Sequence, residues 1–293
     1  MRRELSDETA LVEDAWMPLS KQGNFGAKHI LSAKAGVAVH IDAFNFPIWG
    51  MLEKIAPTLL AGLPCIVNPA TEGAELTQAV VQAIHESGFL PEGSLQLICG
   101  QTYDLFDHLG PQDTVTFTGS ASTGQQLRAH PQFNRYSIPF SMEADSVNSA
   151  ILTENADDTT IDLFVSEVFR EMTTKAGQKC TAIRRAFVPA ALLETVQTRL
   201  VEKLKKVVVG DPACENVTMG ALASVKQKQD VAQRVEQLSQ QAQIVFGSHL
   251  NQDFNIEADH PEKGAFYPPT VLVCQDPLQF YAIHQVEAFG PVC

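Results

Sequence analysis

From residue 36 onward, short apolar runs alternate with longer amphipathic ones. Gly36–Ile41 (GVAVHI) is a brief β-rich run, and Trp49–Leu60 carries apolar residues at helical spacing before Gly62 stops it. Cys65–Val67 is a second apolar run, closed by Asn68-Pro69. Ala74–Ser87 places Leu76, Val80, Val81 and Ile84 on one helical face and ends at Gly88. Leu95–Cys99 and Thr114–Thr118 read as further strands, each ended by a glycine, and Ser137–Phe140 is strand-like. In the second half, the spacing predicts strands at Asn148–Leu152, Arg184–Pro189 and Pro268–Cys274. It predicts helices at Thr160–Thr174, Ala190–Lys206 and Val225–Gln241, the last polar and exposed, with a turn at Gly210-Asp211-Pro212. Short strands alternating with helices predict an α/β fold whose parallel sheet is covered on both faces. Ligands in such sheets bind beyond the C-terminal ends of the strands.

Composition narrows the function classes. With 293 residues, 45% hydrophobic and 19% charged, the chain is long enough for two cores and too apolar for a disordered segment. Twenty-one basic against 34 acidic residues give a net charge of −13, which repels nucleic acid. No apolar run approaches the ~18 residues of a membrane helix. Met1–Ala10 lacks the apolar core of a signal peptide, so the expectation is a cytoplasmic protein with no membrane partner. The six cysteines form no CxxC pair and the eight histidines no close pair, so neither a metal site nor a disulfide framework is expected. No GxSxG elbow is present.

Four local features carry chemistry. Cys180 follows Gly177-Gln178-Lys179 at the end of a helix-like segment, where the backbone can turn and present a thiol. Lys175, Lys179, Arg184 and Arg185 surround it in sequence, and nearby positive charge favours the reactive thiolate; the alternative is a buried structural cysteine. Glu143 follows a strand-like run, either as a base at the ligand crevice or as a solvated acid. Phe117-Thr118-Gly119-Ser120 joins a strand to a helix start whose N–H groups can hold a phosphate, or it is a plain connection. Asn45, before Phe46-Pro47, offers an amide to a developing oxyanion, or simply makes a turn.

Taken in order, AFNFP at 43–47, NPAT at 68–71, FTGS at 117–120, MEAD at 142–145, GQKC at 177–180 and EAFGPV at 287–292 resemble the aldehyde dehydrogenase superfamily. Within it, SIPFSMEADSVN and EMTTKAGQKCTAIRR are similar to the dehydrogenase part of the bifunctional phenylacetate ring-opening enzyme. They also resemble the semialdehyde dehydrogenase of the benzoyl-CoA pathway. The resemblance implies Cys180 as nucleophile, Glu143 as the base that activates water, and Asn45 as oxyanion donor. It implies a nicotinamide cofactor held by Phe46, Pro47, Trp49, Asn68, Ala70, Thr71, Gly119, Ser120, Glu287 and Phe289. Asn68 stands where lysine is usual and Thr71 where NAD-preferring members often carry glutamate, which leans the reading to NADP, with NAD as the alternative. The implied substrate is an aldehyde, in this subgroup a CoA-linked semialdehyde, oxidised to the acid.

The same resemblance implies a homo-oligomer in full-length relatives and three parts. These are an N-terminal helix and oligomerisation-type segment over 1–35, a cofactor-binding domain over 36–146, and a cysteine-bearing catalytic domain over 147–293, the last two incomplete. The abrupt close at Glu287–Cys293 reads as an internal piece of a longer enzyme. Two alternatives accompany this reading: an inactive or structural fragment, and a cofactor-independent thiol esterase.

Overall fold

A computed structural model describes residues 10–12, 15–247 and 256–293. The chain forms two compact units, Met1–Ala144 and Asp145–Cys293. Among the described residues, no helix is long and apolar enough to cross a membrane.

The first unit opens with short strands β1 (Ala10–Val12), β2 (Met17–Pro18), β3 (Gly26–Ala27) and β4 (Ile30–Ser32), paired antiparallel as β1 with β4 and β2 with β3. The helix expected within 1–35 is not found among the described residues there. Pro18, Gly23 at φ +67° and Gly26 break any helical run, and Gly26 lets the Trp16 ring lie against its backbone. Residues 1–9 lie outside the described part.

A five-stranded sheet then follows: β5 (Ala38–Asp42), α1 (Pro47–Leu60), β6 (Cys65–Pro69), α2 (Ala74–Glu86), β7 (Leu95–Leu97), β8 (Thr114–Gly119), α3 (Ala121–Arg128), α4 (Pro131–Tyr136) and β9 (Phe140–Ala144). Its order is β7-β6-β5-β8-β9, parallel throughout. Alternate residues of β5 feed two separate cores. Ala38 joins Met51, Ile55, Val67 and Val81 under α1 and α2, while Val39 joins Phe106, Val115, Phe117 and Phe133 on the opposite face. Both faces of the sheet are therefore covered, as the continuous apolar strands anticipate. The strand-like run at Ser137–Phe140 is shifted: Ser137 ends α4 in the left-handed region and Pro139 lacks an N–H, so pairing starts at Phe140.

His40 sits in the middle of β5 and is 2% exposed. The Thr58 hydroxyl donates to the Lys54 carbonyl at 2.8 Å and so accepts from His40 Nε2 at 3.0 Å, while Thr116 Oγ1 donates to Nδ1 at 2.7 Å. Burial, aided by the Lys54 ammonium, pushes the imidazole down from 6.5 to about 4. A folded-state value below the unfolded one means the unfolded chain binds the extra proton. The neutral-histidine contribution is thus complete above about pH 6.5 and is lost as pH falls from there toward 4, a loss of about 3 kcal/mol. His40→Gln is expected to flatten the fall in Tm across that window in thermal denaturation. An unchanged slope would place the acid sensitivity elsewhere.

The second unit comprises β10 (Asn148–Ile151), α5 (Asp158–Thr173), β11 (Ile183–Phe187), α6 (Leu193–Leu204), β12 (Val209–Gly210), α7 (Val225–Ser239), β13 (Gln243–Phe246), β14 (Ile256–Glu257), β15 (Val271–Val273) and α8 (Ala282–Gln285). β10 pairs parallel with β11 and β12 with β14, whereas β13 pairs antiparallel with β15. Its core draws Ile161, Val165, Val168 and Met172 from α5 and Val196, Leu200 and Leu204 from α6. α7 is less exposed than its polar composition predicts: Val231, Val235 and Leu238, at helical spacing, bury one stripe in the same core.

Candidate active site

In the first unit, the chain moves outward from β5 to β6 and β7, then returns to β8 on the other side of β5. That reversal is the place where parallel sheets of this kind open a crevice at their C-terminal edge. Register aligns the edge: Asp42 with Pro69, Ile41 with Phe117, Thr118 with Glu143 and Gly119 with Ala144. Asn45 lies half-buried in the turn between β5 and α1. Phe46 caps α1 and meets Trp49 edge-on at 5.6 Å, with Trp49 62% exposed. Pro47 occupies the first turn, where its missing N–H costs nothing.

α1 has no side-chain cap and no acidic residue in its first turn, so the positive end of a 14-residue helix is left at the crevice. Ala70 donates its N–H to the Asp42 carbonyl at 3.0 Å, which ties the Ala70–Thr71 turn to the same edge. Gly73 completes the approach, because a Cβ there would stand 2.8 Å from Pro47 Cβ. Gly119 ends β8, and Ser120 caps α3 by accepting from the Thr123 N–H at 3.3 Å, so part of the phosphate-binding potential at that helix start is met internally. A Cβ on Gly124 would be 2.3 Å from Met142 Sδ, so this glycine is what lets α3 sit against β9.

Glu143 is exposed within β9. It lines an open hollow of about 360 Å³ together with Glu53, Lys54, Thr116, Thr118 and Ser141. Beneath, Lys54 Nζ pairs with Asp42 Oδ1 at 2.8 Å. Burial raises the Asp42 carboxyl and Lys54 pulls it back, while the second Asp42 oxygen has no hydrogen-bond partner.

In the second unit, α5 ends at Thr173 and the backbone reverses through three consecutive left-handed residues, Lys175 (φ 54°), Ala176 (φ 51°) and Gly177 (φ 68°). Two of them carry side chains, a conformation that persists only where surrounding bonds over-determine it. Those bonds are present. A Cβ on Gly177 would lie 2.1 Å from the Gly290 carbonyl oxygen. Gln178 is buried, donating to the Lys175 carbonyl at 3.0 Å and accepting from the Ala223 N–H at 2.9 Å. Arg184 donates to the Gly177 and Gly290 carbonyls, each at 2.7 Å, and lies 5.2 Å over the Phe289 ring. Its Nε reaches Glu287 Oε1 at 3.3 Å, and the other Glu287 oxygen accepts from the Ser146 N–H at 3.0 Å. Burial pushes the Glu287 carboxyl above its ordinary value, against the pull of those two donors. Cys180 emerges exposed from this framework.

Residues 17–293 match the model of the aldehyde dehydrogenase family. This chain belongs to that family. It is 44% identical over 285 residues to 3,4-dehydroadipyl-CoA semialdehyde dehydrogenase of Aromatoleum evansii, covering 96% of this chain and 55% of that protein. It is 28% identical over 262 residues to the α-ketoglutaric semialdehyde dehydrogenase of Bacillus subtilis, covering 88% of this chain and 51% of the relative. Betaine aldehyde dehydrogenase of Staphylococcus aureus, crystallised with NAD+, shares the fold with a TM-score of 0.79 at 24% identity, over 97% of this chain and 54% of that one. The chain thus spans about half the length of the relatives it matches.

For two of the sequence readings, the structure places the side chains in contacts of their own. Asn68 is buried, and its amide is spent on the Ile98 and Gly100 carbonyls at 2.7 and 3.0 Å, with Thr102 donating to its oxygen at 3.4 Å. Its side chain fastens the segment after β7 to β6 instead of offering donors to a ligand. Three of the cations near Cys180 in sequence are likewise engaged elsewhere in the unit. Lys179 pairs with buried Glu171 at 2.9 Å, and Arg184 with Glu287 and backbone carbonyls. Arg185 donates to the Val147 carbonyl at 2.6 Å and meets His284 Nδ1 at 2.9 Å. Burial and Lys179 lower the Lys175 pKa. Sequence proximity to Cys180 therefore does not translate into cations assigned to its sulfur. Reasoning from sequence also missed Ser146, Asn148 and the Asp42–Lys54 pair, whose contacts span 12 to 34 residues and leave no local periodicity.

Proposed function

We propose that this chain carries the nucleophile, the base and the cofactor cleft for NAD(P)-dependent oxidation of an aldehyde to a carboxylic acid. The observation that carries the reading is Cys180, exposed at the end of a strained left-handed turn that buried side chains hold from several directions. Such a turn costs energy that a merely structural cysteine does not require. Cys180 Sγ attacks the aldehyde carbon. The Asn45 amide and the Cys180 N–H donate to the oxygen that gains charge. A bound nicotinamide supplies the hydride acceptor. Glu143 then takes a proton from water, and the resulting hydroxide attacks the thioester on Cys180 to release the acid.

The crevice fits a dinucleotide through the uncapped α1 N-terminus and the close turn that Gly73 permits. Phe46, Pro47, Trp49, Ala70, Thr71, Gly119 and Ser120 are the residues assigned to hold it; Glu287 and Phe289 are assigned to the cofactor on the family resemblance alone. Thr71 is exposed and uncharged, so it does not repel a 2′-phosphate, which favours NADP over NAD. With its amide buried, Asn68 is left out of that assignment.

The substrate class follows from the similarity to the Aromatoleum evansii protein, whose name specifies a CoA-linked semialdehyde. Glu143 supports hydrolysis of the thioester over transfer to CoA, so CoA serves as a handle on the substrate. Exposed Trp16 just before β2, Leu19 and Phe25 in the turn between β2 and β3, and Ile30 on β4 give an apolar surface suited to self-association as a homo-oligomer. Formation of reduced nicotinamide measured across CoA-linked and free aldehydes tests the assignment. At least ~10-fold higher kcat/KM on the CoA-linked substrates is expected, about 1.4 kcal/mol of discrimination. Equal values on both classes would reject the CoA handle.

A further inference from the structure

The carbonyl of Cys180 receives two side-chain donors. Ser146 Oγ donates to it at 2.6 Å and Asn148 Nδ2 at 2.6 Å, across 34 and 32 residues of sequence. Asn148 Nδ2 also reaches the Ala182 carbonyl at 3.2 Å and Ser146 Oγ at 3.0 Å. These contacts fix the amide orientation, because a flipped side chain would set its own oxygen against two carbonyls. Ser146 is held in turn through its N–H to Glu287, which pairs with Arg184. Arg184 also takes the Lys179 carbonyl at 3.3 Å. The carbonyls of residues 177, 179, 180 and 182 are thus each claimed by a side-chain donor of β11, of the first residue of β10 or of the segment leading into it.

We propose that Ser146 and Asn148 are positioning residues that lock the Cys180 peptide by double donation to its carbonyl, keeping the thiol on the open face of the loop. The proposal rests on Cys180 as the nucleophile, but it concerns the peptide plane and not the reaction. A carbonyl gripped from two directions cannot rotate without breaking both bonds. The N–H of the 180–181 peptide and the direction of the Cys180 side chain follow from that plane. With one donor replaced by an acceptor, the carbonyl is repelled and the loop turns, carrying the sulfur away from the surface.

The test is alkylation of the 293-residue chain by iodoacetamide, with modification followed peptide by peptide. Cys99, exposed on the first unit, serves as the internal reference. Asn148→Asp keeps the volume and turns the donor into an acceptor. It is expected to slow Cys180 modification about tenfold or more relative to Cys99, in line with the cost of small misplacements at reacting groups. Ser146→Ala should slow it several-fold, and Ser146→Thr, which keeps the hydroxyl, should restore the wild-type ratio. In aldehyde oxidation, kcat should fall while the KM for the cofactor stays constant, a split that general loosening of the unit would not give. If Asn148→Asp does not fold, the Ser146 pair decides the matter. Wild-type Cys180-to-Cys99 ratios in Asn148→Asp or Ser146→Ala, or equal loss in Ser146→Thr and Ser146→Ala, would overturn the proposal. Slowed alkylation in these variants, with a wild-type chain that oxidises no aldehyde, would instead remove the dehydrogenase reading and leave the clamp intact.

Discussion

Glu143→Gln is expected to slow steady-state release of the acid by about 10²–10⁴-fold while leaving a first-turnover burst of reduced nicotinamide. The asymmetry follows from the division of labour. Attack by Cys180 and hydride loss need no base at position 143, whereas hydrolysis of the thioester needs a group that takes a proton from water. Glutamine has the same size and no basicity. Glu143 is exposed within β9 and makes no ion pair among the described residues, so the substitution should leave the sheet intact. Rapid-mixing kinetics separate the burst from turnover. Loss of the burst together with turnover would show that position 143 acts before the thioester forms.

Cys180→Ser should lower aldehyde oxidation by about 10⁴-fold or more, the scale seen when a covalent nucleophile is removed. A serine hydroxyl in the same place is far less nucleophilic, because no base is assigned to it. The loop itself should survive. Its reversal is held by the backbone of Gly177 against Gly290, by Gln178 and by Arg184, through bonds that do not involve the sulfur. Stability is therefore expected to change by no more than about 0.5 kcal/mol, as at an exposed position away from buried bonds. Residual oxidation near the wild-type rate would remove Cys180 from the scheme.

The parallel sheet was legible because strands buried on both faces leave continuous apolar runs, as in Val37–Val39 and Cys65–Val67, and because Gly100 and Gly119 mark where two of the strand runs stop. Position along the chain also placed Asn45, Ala70, Thr71 and Gly119 correctly at strand ends, since a parallel sheet gathers all such ends on one edge. Two things were not legible. One was the commitment of polar side chains. Lys179 and Arg184 flank the cysteine in sequence, yet their charges belong to Glu171 and Glu287, partners 8 and 103 residues away. Asn68, read as a ligand contact, anchors backbone 30 residues on. The other was the buried stripe of α7, where three apolar residues among many polar ones suffice to dock a helix. Side chain to backbone bonds of this length obey no period, so only the folded chain reveals them.

In the proposed reaction the acyl group of the oxidised aldehyde resides on Cys180. Incubating the Glu143→Gln chain with aldehyde and NADP or NAD, then quenching in acid and mapping the peptides by mass spectrometry, measures this directly. The acyl mass is expected on the peptide containing Cys180, in proportion to the burst. The same mass on another cysteine, or reduced nicotinamide formed while Cys180 remains unmodified, would contradict it.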